Sequence, residues 1–296
     1  MRVQTSFSDG GYRQQDTERR YLNYTEFVNA MKKEMRERLA PNVKVELYQS
    51  IKNNGTRRQG LMFAESGINI SPAIYLEEFY EQYQKGRSLS FLAEAVQNIY
   101  KRVKVHQSYP CENIFSFSKV KNQIVFKLIQ EETNRELLRD VPHEKFLDFA
   151  VVFYVLIRND EFGTATLLVR QEHLKNWGVT REEVVEAARV NTPRLLPPRL
   201  EKLTGYMYVL GNESRNLGAS AVCYPGVCRQ AAEVLGESFY LIPSSIHEMI
   251  LIPESYGLEK HQLEQMLREI NEKEVEAEEV LSRHVYFFSR RDGKIH

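Results

Sequence analysis

The chain has 296 residues with 42% hydrophobic and 27% charged side chains, a composition that predicts a soluble globular protein with one large or two closely packed domains. Lys plus Arg and Asp plus Glu stand at 40 each, so no global field draws it onto nucleic acid or an anionic membrane. No apolar run reaches the roughly 18 residues of a membrane span, no secretory core opens the chain, and three cysteines fit a reducing compartment; cytoplasmic residence and no membrane partner are the expectations.

Residues 1–20 are polar and without periodicity, and read as a flexible leader. Asn23 and Glu26 have capping-box spacing, and Phe27, Met31, Met35 and Leu39 stripe the helix that follows. Val43 to Ile51 alternates as a strand, Asn53-Asn54-Gly55 turns the chain, and Gly60 to Ala64 returns. Ala73 to Gln84 is expected to be helical, and after Gly86 a second helix carries Leu92, Val96, Ile99 and Val103. Lys121 to Gln130 reads as a strand, whereas Phe146 to Ile157 is too uniformly apolar for periodicity to assign. Thr164 to Val169 is a further strand. Thr180 with Glu183 makes a second capping box, flanked by Val179 and Val184 at hydrophobic-staple spacing, and starts a helix expected to end near Asn191. Thr192-Pro193 and Pro197-Pro198 then mark the best boundary, dividing an N-terminal α+β region, 21–192, from a C-terminal one, 193–296, or joining two parts of one continuous fold.

Beyond that point the pattern predicts strands at Gly205 to Leu210 and Ala219 to Cys223, a helix from Pro225 to Leu235 capped by Gly236, and paired strands at Phe239 to Ile242 and Ile246 to Ile252. A helix striped by Leu263, Met266, Leu267 and Ile270 follows, then an acidic solvated segment, Glu272 to Glu279, and a strand at Val285 to Ser289. The expected class is α+β, with a mixed or antiparallel sheet, packed helices and a strand-helix-hairpin-helix core in the C-terminal region.

Ser244, Ser245, His247 and Glu248 cluster at the junction of the last paired strands, and His143 and Asp148 lie near the long apolar run; these six are the candidate catalytic residues. On a strand from Ile246, His247 and Glu248 would point to opposite faces, which removes a direct dyad and puts first a structural histidine serving the turn. HExxH fails because position 251 is Leu251, Cys223 and Cys228 lack a second pair, and no nucleophile elbow, P-loop or dinucleotide fingerprint occurs. No cofactor and no metal are expected. The basic patches are small, Lys101-Arg102-Val103-Lys104, the series Arg189, Arg194, Arg199 and Lys202, and Arg290-Arg291; the series is the candidate for nucleic-acid contact, a partner the charge balance disfavours. Trp177 is read as packing.

Several pieces together resemble an uncharacterised domain-of-unknown-function family of Gram-positive gut bacteria: Val141-Pro142-His143 with Phe146 to Val152; His173-Leu174 with Trp177; Ala187-Ala188 with Asn191-Thr192-Pro193; Gly218-Ala219 with Tyr224-Pro225; Ile242 to Glu248; and Val280-Leu281-Ser282 with Tyr286. Pro243-Ser244-Ser245-Ile246-His247-Glu248 is the most specific. The resemblance spans about residues 20 to 290 and implies no activity, cofactor or catalytic residue. Three functions stay open: a non-catalytic binding or protein-interaction module, which the absence of every standard catalytic signature favours; a hydrolase-like enzyme with an unfamiliar Ser/His/acid site; and a nucleic-acid-associated protein. The protein partner and the oligomeric state are open.

Overall fold

A computed structural model describes residues 21–69, 71–104, 114–159 and 163–296; the expected leader and Cys111 lie outside the described residues. By its contacts the chain divides into two compact units. Among the described residues the first holds 21–51, 57–69, 71–104, 158–159 and 163–165, and the second holds 52–56, 114–157 and 166–296.

The first unit opens with α1 (Tyr24–Arg38), whose capping box is formed on both sides: the Glu26 N–H donates to Asn23 Oδ1 and the Asn23 N–H to Glu26 Oε2, each at 2.9 Å. Strands β1 (Val43–Ile51), β2 (Arg57–Glu65) and β3 (Ala73–Tyr75) make a three-stranded antiparallel sheet. Ala73–Tyr75 therefore pairs as a strand, and the expected helix begins only with α2 (Glu77–Gln84). Gly60 makes this possible, because a Cβ there would collide with the Ile74 carbonyl of β3. With α3 (Leu89–Val103), these elements bury Phe27, Met31, Met35, Val45, Leu61, Phe63, Leu92 and Val96 in one core.

The second unit begins with the short α4 (Phe117–Val120) and continues into β4 (Ile124–Gln130), α5 (Arg135–Leu138), β5 (His143–Phe146), β6 (Phe149–Asn159) and β7 (Gly163–Leu168). The sheet runs β4-β6-β5, with β7 also paired to β6, and is antiparallel. Its central position explains the uniform apolarity of β6: Ala150 and Val152 face a cluster with Ile129, Leu138 and Val141, while Phe149, Val151 and Phe153 are buried on the opposite face.

After α6 (Gln171–Trp177) comes α7 (Arg181–Leu195), with the predicted capping box at Thr180. The helix does not stop at Asn191 but runs through Pro193 to Leu195. A division at 192/193 is accordingly not where the contacts separate the chain, since both sides lie in the second unit. The reason is tertiary. Asn191 Nδ2 donates to the carbonyls of Lys121 and Ile124, and Thr192 Oγ1 accepts the Phe126 N–H at 3.0 Å, so the end of α7 satisfies backbone groups along β4.

The remaining sheet is six-stranded, ordered β13-β12-β10-β11-β9-β8, from β8 (Pro198–Thr204), β9 (Met207–Asn212), β10 (Phe239–Ile242), β11 (Met249–Pro253), β12 (Tyr286–Ser289) and β13 (Lys294–Ile295). Helices α8 (Val227–Leu235) and α9 (Lys260–Lys273) accompany it, and Ile242, Ile252, Leu263, Leu267 and Val285 form its core cluster. Two expectations are corrected here. Gly218–Cys223 is a 3-10 helix, not a strand, and β11 begins at Met249, so Ile246 to Glu248 is loop. The class is α+β with antiparallel sheets. No helix among the described residues is long and apolar enough to cross a membrane.

Candidate functional site

The loop between β10 and β11 carries four of the six candidate catalytic residues. Because Ile246 to Glu248 is not strand, alternation does not separate His247 from Glu248; their partners do. His247 Nδ1 accepts the Leu217 N–H at 3.2 Å, and Nε2 faces a Glu279 carboxylate oxygen at 3.6 Å, with 31% of the side chain exposed. An accepting Nδ1 assigns the proton of the neutral ring to Nε2. Ser245 Oγ accepts the His247 backbone N–H at 3.1 Å, Ser244 Oγ is directed at the Glu248 carbonyl at 3.4 Å, and the Glu248 residue is exposed. Neither hydroxyl has a hydrogen bond to the ring that would remove its proton. The loop is instead stitched to its surroundings: the Ile246 N–H donates to the Glu279 carbonyl and the Ala219 N–H to the Ile246 carbonyl. Gly218 permits that closeness, as a Cβ there would lie 2.6 Å from the Asn212 nitrogen and 2.7 Å from the His247 oxygen.

Asp148 occupies the turn between β5 and β6, beside Leu147 at φ 56°. Its carboxylate accepts the Tyr286 hydroxyl on Oδ1 and the Ser282 hydroxyl on Oδ2, the latter at 3.3 Å, tying this turn to β12. Burial, followed by the hydrogen bond to Asp148, pushes the Tyr286 phenol well up. His143 Nδ1 donates to the Val141 carbonyl at 2.9 Å. The six candidates are thus three separate structural arrangements, at 244–248, at Asp148 and at His143, with no hydrogen bond between them.

The sheet of β4, β6 and β5 does form a concave site. A cleft of about 650 Å³ is lined by the apolar or weakly polar Phe126, Phe146, Phe149, Ala150, Val151, Phe153, Cys223 and Pro225, of which Phe126, Phe149, Ala150, Val151 and Phe153 are buried. His143, Glu131, Glu144, Lys145, Arg181 and Arg189 complete its lining. Across it Arg189 of α7 meets Glu144 of β5 at 3.1 Å, and Lys145 meets Glu131 at 3.0 Å. Burial pushes the Cys223 thiol far up, which disfavours its thiolate, and likewise lifts Cys228 to about 12, whose Sγ is directed at the Val222 carbonyl. Of these residues, Glu131 and Lys145 were not singled out by the sequence, nor was Glu279 except as part of the acidic segment.

The basic series is mostly compensated. Arg189 is matched by Glu144 and Glu186, Arg199 by Glu201, Arg194 donates to the Asn122 carbonyl and to Asn191, and Lys202 lies over the Tyr208 ring at 5.8 Å. Trp177 donates its indole N–H to the Ile114 carbonyl and packs on Phe117 and His173. Among the described residues no cluster of three or more His, Cys, Asp or Glu side chains is placed to hold a metal.

A family model matches residues 24–207 and 201–290. The chain belongs to DUF5688, a family of unknown function. No curated protein and no solved structure matches it. Within this DUF5688 chain the sequence pieces that carried the resemblance have structural work: Asn191 and Thr192 satisfy β4, Gly218 admits the 247 carbonyl, Ser282 and Tyr286 hold Asp148, and Ser245 with His247 shapes the β10–β11 loop.

Proposed function

We propose that the protein is a non-catalytic binding protein whose ligand occupies the cleft over β5 and β6. The observation that carries this reading is that each serine and histidine of the candidate catalytic set is committed to a backbone partner, while a cleft lined in part by aromatic side chains, with His143 in its lining, opens between charged side chains. Its chemistry selects a small apolar anion. Phe146 and Pro225, the accessible apolar side chains of the lining, take the apolar body above the buried Phe126, Phe149 and Phe153, and Arg189 supplies the guanidinium for a carboxylate. Arg189 is held at present by Glu144 and Glu186, with 58% of its side chain exposed, and an exposed pair of this kind is worth only about 0–1 kcal/mol, so a ligand carboxylate replaces Glu144 at little cost.

A titration with 1-naphthoate tests the reading. Saturable binding is expected, weakened about tenfold or more by Arg189→Glu and unchanged by His247→Gln. Absence of binding, or turnover of an ester substrate that depends on Ser245 or His247, overturns it.

A further inference from the structure

Among the described residues strand β8 is the last of its sheet and pairs on one side only, with β9. The Glu213 N–H donates to the Pro197 carbonyl at 3.0 Å, which sets the phase of the ladder: residues 199 and 201 turn their backbone groups toward β9, and 198, 200 and 202 turn theirs outward. Glu201, Lys202, Leu203 and Thr204 are all exposed, so both faces of the strand are open at this edge. The side chains around Leu200 are arranged symmetrically, with Arg199 on one flank and Glu201 on the other, on the same face of the strand.

We infer that β8 is a self-association edge, pairing antiparallel with β8 of a second copy about a twofold axis through Leu200. In that register the Leu200 N–H and carbonyl bond their own counterparts, and each Lys202 N–H reaches the Pro198 carbonyl across the axis. Proline is the one residue that can stand at 198 without wasting an outward donor. Arg199 of each strand then faces Glu201 of the other at a non-hydrogen-bonded position, where Cα atoms approach to about 4.5 Å and opposite charges stabilise the pair. A shift of the axis to Lys202 sets like charges against each other, so charge selects the register. Arg199 bonds Glu201 within one chain and Arg215 lies 3.8 Å from it; both contacts are surface pairs that exchange at small cost. The occupant is a second copy because the complementarity is to the strand itself.

Sedimentation velocity on the full chain tests this, over a concentration series reaching the high micromolar range, since an edge contact falls below the roughly 1,200 Å² of standard stable interfaces. Wild type is expected to dimerise, Glu201→Arg to lose the dimer, and Arg199→Glu with Glu201→Arg to restore it. A wild type that stays monomeric, a dimer that survives Glu201→Arg, or a double variant that fails to recover it overturns the inference. Circular dichroism of the exposed-site variants separates loss of dimer from loss of fold.

Discussion

At Leu217 the backbone N–H points into the His247 ring, so removing that acceptor leaves a partly buried donor unsatisfied. His247→Ala is expected to lower unfolding free energy by about 1–2 kcal/mol in urea; an unchanged midpoint would contradict the role given to the ring. Lys127 presents the opposite case. It stands on β4 opposite Val152, half-buried, with its ammonium 5.9 Å from the Tyr154 ring centroid. Burial first, then the charge of Lys52, lowers its pKa from 10.5 to about 8. Below pH 8 both folded and unfolded states hold the proton, and the fold bears the full cost of the desolvated charge. As pH rises from about 8 to 10.5 the folded state sheds that proton first, so stability rises across this window. Lys127→Met therefore stabilises at pH 7, by about 1–3 kcal/mol, with a gain that shrinks above pH 8; urea midpoints at pH 7 and pH 10 check it.

Among the elements, α7 shows how tertiary bonds decide a helix end. Pro193 removes one donor from its last turn, and the side chains just before it bond β4 instead. Thr192→Val keeps the shape and deletes the acceptor of the Phe126 N–H, which is expected to cost about 1–3 kcal/mol and to speed hydrogen exchange at the Phe126 amide. Exchange at Phe126 no faster than in wild type would remove this explanation. Elements announced by their own residues were legible in the sequence: the boxes at Asn23 and Thr180, the stripes of α3 and α9, and the alternation of β1 and β2. Elements set by distant partners were not. Ala73–Tyr75 is a strand because Gly60 lets β2 approach, Gly218–Cys223 is helical between β9 and the β10–β11 loop, and β8 opens on the second of two prolines that read as a break. The site divides the same way, because His247 and Asp148 stood out by type, whereas Glu144 and Arg189 meet only once β5 and α7 are packed.

For the molecule as a whole, the second unit holds both sides of the contrast on which the proposed binding role rests. The serines, histidines and Asp148 of the candidate set are bonded to the backbone or to other side chains, and the cleft over β5 and β6 is rimmed by the surface ion pairs Arg189–Glu144 and Lys145–Glu131. Backbone amide shift mapping by nuclear magnetic resonance during a 1-naphthoate titration tests that contrast most directly. Saturable shifts at Phe146, Val151 and Arg189, absent at Ser244 to Glu248 and lost in Arg189→Glu, are the predicted result. Shifts centred on Ser245 and His247, or no saturable shift at the cleft, would contradict it.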